Sequence, residues 1–134
     1  MEKYDIKLYD FNRSLEIEGT VFADEGESSD DIILKITVEG ITVTAKSEGY
    51  LSAYQELRDK LLEKGFGLKC NGSLINVTQS EMMSYTPKVY LIEMGKQALL
   101  KNVVNIWDYC DINTFPDTKA QTEYTEKWWS SLRS

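Results

Sequence analysis

The sequence predicts an α+β fold: an antiparallel β-meander with a central amphipathic helix, further short strands and a C-terminal helix. Three observations carry this. Apolar and polar side chains alternate with a period of two through residues 4–46, the pattern of strands that bury one face. The period switches to helical spacing at Tyr50, Tyr54, Leu57 and Leu61. Short apolar runs of strand length follow, and helical spacing returns near the C-terminus.

In chain order, Tyr4, Ile6 and Leu8 alternate with Asp5 and Lys7, and Leu15, Ile17 and Val21 alternate with Glu16, Glu18 and Thr20. Ile32, Leu34, Ile36 and Val38 alternate with Lys35, Thr37 and Glu39, and Ile41, Val43 and Ala45 with Thr42, Thr44 and Lys46. Only Glu39-Gly40 separates the last two runs, which predicts a tight hairpin with the glycine at positive φ. Leu51 and Leu62 widen the stripe of the helix that follows, Gln55, Glu56, Asp59, Lys60, Glu63 and Lys64 fill its other face, and Gly65 is its left-handed C-terminal cap.

Phe66 to Cys70, Leu74 to Val77, Val89 to Met94 and Val103 to Tyr109 read as further strands, punctuated by Asn-Gly, Thr-Pro and Met-Gly-Lys. Asn71-Gly72 is either a hairpin turn or simply a strand end. Pro116 and Asp117 start a last helix, capped by Asp117 or Thr118, with Ala120, Tyr124, Trp128 and Leu132 on its inward face. No repeat, linker or low-complexity segment divides the 134 residues, so one domain is expected over 1–134.

Composition narrows the function. The N-terminus runs from polar residues straight into a strand pattern without a basic and then apolar segment, so no secretory signal and a cytoplasmic location are expected. No apolar run reaches the ~18 residues of a spanning helix, and no membrane partner is expected. Net charge is -7, all of it N-terminal: residues 1–48 hold 12 acidic against 5 basic side chains. Asp24, Glu25, Glu27, Asp30 and Asp31 crowd into one segment. Such a field repels phosphate backbones and attracts basic partners, which argues against nucleic acid.

The chain has no histidine, which removes the commonest general base, metal ligand and activator of serine or cysteine nucleophiles. Cys70 and Cys110 read as reduced packing residues, no zinc site can be assembled from them, and no phosphate-binding glycine loop is present. The acidic segment lacks the ligand order of a calcium loop. No catalytic residue, metal or cofactor is therefore expected. Of Trp128-Trp129 one side chain must turn from the core stripe, and Met82-Met83 is expected to fill core gaps.

The segment Gly67-Leu68-Lys69-Cys70-Asn71-Gly72-Ser73, with Ser80-Glu81-Met82, the run from Val89 to Gly95 and the ending Gln121, Tyr124 and Trp128, resembles small bacterial immunity proteins of polymorphic toxin and contact-dependent growth inhibition systems. The likeness runs from Gly65 to Leu132. It implies a non-enzymatic inhibitor that occludes a cognate toxin domain, often a basic nuclease. The expected contact surface is Asp24, Glu25, Glu27, Asp30 and Asp31, with Glu16 and Glu18 from the neighbouring strand. The alternative is a small-molecule or peptide-binding module around Cys70 to Met83, where Asn71, Ser73, Asn76 and Ser80 offer polar groups.

Overall fold

A computed structural model describes residues 1–133 and has the α+β architecture read from the sequence. Strands β1 (Glu2–Asp10), β2 (Leu15–Glu25), β3 (Ile32–Val38) and β4 (Ile41–Ser47) form an antiparallel meander. Helix α1 (Tyr50–Glu63) follows, and β5 (Phe66–Leu68) joins the far edge, giving the order β4-β3-β2-β1-β5. Leaving at one edge and returning at the other obliges α1 to cross the sheet, which brings its apolar stripe onto the inward face. Gly65 has φ +93 and its N–H meets the Leu62 carbonyl, closing the helix as expected.

Alternation sets the two faces. Leu8, Val21, Ala23, Leu34, Ile36, Val43 and Ala45 are buried beneath α1, while Lys3, Asp5, Lys7, Glu18, Phe22, Lys35, Thr37, Thr42 and Thr44 stay on an open outer face. The β3–β4 turn has φ of 50° at Glu39 and 79° at Gly40, the two left-handed residues of a twist-matched two-residue hairpin. The β4 edge is not bare: the Lys46 N–H donates to Glu56 of α1 (2.8 Å), and Lys60 donates to the Thr44 carbonyl (2.8 Å). Two groups that another strand would need are thus engaged by α1 side chains.

The C-terminal half departs from the predicted strand lengths. It forms a small antiparallel sheet of β6 (Val77–Thr78), β7 (Lys88–Leu91) and β8 (Val103–Asn105), then α2 (Thr118–Ser131) capped by Asp117, which accepts from the Ala120 N–H. Asn71–Ser73 is a 3-10 turn, and the strand expected over Leu74 to Val77 shrinks to its end. The reason is backbone pairing elsewhere: the Gly72 N–H goes to the Ile106 carbonyl, and the Gly72 and Leu74 carbonyls accept from Gln121. Trp107 then plugs the junction, stacked on Tyr4 (5.6 Å) and packed on Tyr54 (5.1 Å).

Two expectations of burial are corrected. Met82 is 95% exposed because its short 3-10 turn stands outside both sheets. The buried face of α2 is centred on Gln121 and Trp128, with Ala120, Tyr124 and Leu132 only half-buried. Trp129 is the tryptophan that turns outward, at 55% exposure.

Candidate partner-binding surfaces

The acidic segment leaves β2 and reaches β3 as a tied loop. Asp24 is only 7% exposed. Its carboxylate accepts from the Glu27 N–H (2.9 Å) and from the backbone and hydroxyl of Ser28, which folds residues 24–28 back on themselves. Glu25 points the other way: one carboxylate oxygen accepts from both Tyr4 (2.7 Å) and Tyr50 (2.6 Å), and Trp107 in turn donates to the Tyr50 hydroxyl (2.8 Å). Burial, and behind it the bond to Glu25, raises the Tyr4 hydroxyl to about 12 and that of Tyr50 further.

Asp24 therefore ties the loop while still lining the open face beside Phe22 and Ile33, and Glu25 is a core anchor. Glu27 and Asp30 are exposed on the loop, and Asp31 lies half-buried at its end. Glu27 contacts the Met1 amino group (2.7 Å) and Asp31 lies 3.5 Å from Lys46. Exposed contacts of this sort contribute little and release easily.

Glu16 and Glu18 sit near the start of β2, six or more residues from Asp24, which in an extended strand is about 20 Å. Glu16 bonds Lys69 (2.9 Å) and accepts from Tyr109 (3.0 Å); Lys69 also holds Asp111 (2.8 Å). This cluster clips the 109–116 segment over β5, where Phe115 packs flat against Gly67. Lys69 holds the Glu16 and Asp111 carboxyls below the usual carboxylate range. Glu18 is exposed, with its carboxylate 3.9 Å from the Lys7 ammonium.

The seven expected residues thus do not form one patch. Glu25 is on the inward side, and the other six mark two ends of the open sheet face. Between them lies a hollow of about 470 Å³ lined by Met1, Phe22, Asp24, Ile33, Lys35, Thr37 and Thr44, with Lys3 5.6 Å over the Phe22 ring. Sequence reasoning missed Phe22, although its place one residue after Val21 in an alternating strand puts an aromatic ring on the solvent side.

Asp10 and Asp24 are expected to make the fold acid-sensitive. The Arg13 side chain lowers the Asp10 carboxyl below its ordinary value, and the Ser28 hydroxyl does the same for Asp24. A carboxyl that is more acidic folded than unfolded stabilises fully above its unfolded value, and that contribution is lost as pH falls to the folded value. The thermal midpoint is expected to be flat from neutral pH down to about 4 and to fall below it. Asp24→Asn should flatten that decline in a midpoint-against-pH series; an unchanged slope would remove Asp24 from the account.

In the alternative region the polar groups are mostly engaged. Asn71 donates to the Asn105 carbonyl, Asn76 to that of Ile92, and the Ser73 and Tyr54 hydroxyls share a hydrogen bond of 2.6 Å. Cys70 is buried and unpaired, and burial pushes its thiol up to about 12, far from a thiolate at neutral pH. Ser80 lines a cleft beside Trp128 and Trp129.

Fold and surface together define an α+β chain with one five-stranded sheet open to solvent and one small sheet carrying an aromatic cleft. Among the described residues no three Cys, Asp or Glu side chains group to hold a metal ion, and no helix is long and apolar enough to cross a membrane. No protein-family model matches the chain, and no curated protein matches it.

Proposed function

We propose that this protein is an immunity-type inhibitor, a non-catalytic chain that neutralises a cognate bacterial toxin domain by seating it on the open face of the five-stranded sheet. The supporting observation is the arrangement of that face: the apolar hollow at Phe22 and Ile33 with acidic groups at both ends, Glu18 at one and Glu27, Asp30 and Asp31 at the other. An apolar anchor inside a charged rim is how protein interfaces distribute affinity and specificity. A span of about 20 Å fits the ~800 Å² that each side of a standard interface covers. Asp24 and Glu25 support the reading indirectly. By tying the loop, they fix where Glu27 and Asp30 stand, so little ordering is needed on binding. Lys3 and Lys35 beside Phe22 set the register of a partner with its own alternating charge.

The experiment co-expresses the chain with a toxin domain encoded beside its gene, reads protection of growth, and then measures the kinetics of the purified pair. Glu27→Lys with Asp30→Lys is expected to slow association about tenfold at low salt and to weaken its salt dependence. Phe22→Ser is expected to speed dissociation about tenfold or more. Failure to protect would remove the immunity reading; protection with kinetics indifferent to all three substitutions would move the interface off this face.

A further inference from the structure

The cleft beside α2 has a construction that neither the core nor the proposed toxin interface accounts for. Thr78 of β6 and Tyr90 of β7 are directly opposed in register and so project on the same side of the small sheet. Trp128, Trp129 and Leu132 from the end of α2 form the facing wall, and Gln97 and Ala98 the third, around about 380 Å³. The walls are fixed: the Trp128 indole donates to the Lys96 carbonyl (2.8 Å), the Gly95 N–H donates to Ser131 (2.8 Å), and Leu99 and Asn102 bond reciprocally.

Within this rigid frame the Thr78, Ser80, Tyr90 and Gln97 side chains have no hydrogen-bond partner among the described residues. Gln79, between two of them, makes four such bonds. The fold thus satisfies the neighbour and leaves four polar groups converging on one hollow beside an exposed indole. Gln97 also lines an adjoining cavity of about 420 Å³ with Leu91, Leu99, Lys96 and Lys101. Lys96 is paired with Glu93 (2.8 Å), and Lys101, close enough to help lower the Glu93 carboxyl, makes no direct ion pair of its own among the described residues. In a chain of net charge -7, residues 88–102 hold three lysines against one glutamate.

We infer that this double cleft binds an extended peptide segment of a protein partner, one that carries an aromatic or aliphatic side chain next to an aspartate or glutamate. The apolar side chain lies against Trp129 and Tyr90. Thr78, Ser80 and Gln97 hydrogen-bond the peptide main chain, and the carboxylate meets Lys101. Neither hollow is closed over, which suits an extended chain better than a small molecule that needs most of its surface covered.

An array of immobilised hexapeptides, pairing Phe, Trp or Leu with acidic, basic or neutral flanks, is probed with the full chain, and the best acidic peptide is titrated against tryptophan fluorescence. Apolar-acidic peptides are expected to be retained and to shift the emission. Trp129→Ser, at a ring that is 55% exposed and packs on Trp128 (4.7 Å), should weaken them about tenfold with the unfolding midpoint measured alongside, and Lys101→Glu about fivefold. Glu27→Lys should leave peptide binding unchanged, which separates this site from the toxin interface. Equal retention by the Trp129→Ser protein, or a preference for basic flanks, would overturn the inference. So would concentration-dependent self-association abolished by Trp129→Ser, since a second copy of the chain would then be the occupant.

Discussion

Replacement of Gln121 by alanine is expected to lower the stability of the fold by about 3 kcal/mol, a drop in thermal midpoint of about 10 °C. Gln121 is 1% exposed and its side-chain amide joins three parts of the chain. Its NH2 donates to the Gly72 (2.9 Å) and Leu74 (2.7 Å) carbonyls, and its oxygen accepts from Arg58 (2.7 Å) and Gln55 (3.1 Å). Removing it strands two carbonyls and part of a fully buried guanidinium whose Nη1 already has no partner. A buried group deprived of its bond costs more than the bond was worth, because water cannot replace it. Arg58→Met takes away the charge together with its need for a partner, so the double variant should lose less than the two single losses added. Denaturant unfolding of the four proteins measures this coupling; strict additivity would mean that Arg58 and Gln121 do not act as a unit.

Gly72→Ala is expected to cost about 3 kcal/mol by overpacking alone. A Cβ at this position would stand 2.5 Å from Ile106 Cγ1 and 2.7 and 2.8 Å from two Tyr54 ring atoms. Neither neighbour can yield: both are fully buried, and the tyrosine is tethered at its hydroxyl to Ser73. Gly40→Ala provides the contrast. Nothing lies within 4 Å of that Cβ, but φ is +79°, so only the left-handed backbone of alanine is charged against it, about 1 kcal/mol. Equal unfolding midpoints for the two variants would show that the core around Gly72 relaxes freely.

The acidic surface was harder to read than the strands. Asp24, Glu25, Glu27, Asp30 and Asp31 look alike in the sequence, yet Glu25 turns inward to the core, Asp24 ties the loop from the outer face, and the other three line the surface. Nothing in their spacing distinguishes them. Glu25 is sorted by the arrival of Tyr4 and Tyr50, which are 21 and 25 residues away. Arg58 did carry a signal, since it lies four residues after Tyr54 on the inward stripe of α1, but a buried arginine is credible only once Gln121 and Thr118 are seen beside it.

The meander, the Glu39-Gly40 hairpin, α1 with its glycine stop and α2 with its cap at Asp117 or Thr118 could all be read from the chain alone. Each depends on spacings of two to four residues, which backbone geometry converts directly into a face, a turn or a cap. The short strands of the C-terminal half could not be delimited that way, because Gly72, Leu74 and Ile106 direct their backbone bonds to distant residues instead of to regular ladders. The open face around Phe22 and the cleft at Trp129 arise only when the chain is folded. A surface is made by residues brought together across the sequence, and which polar groups remain unpaired on it depends on what the core has already taken.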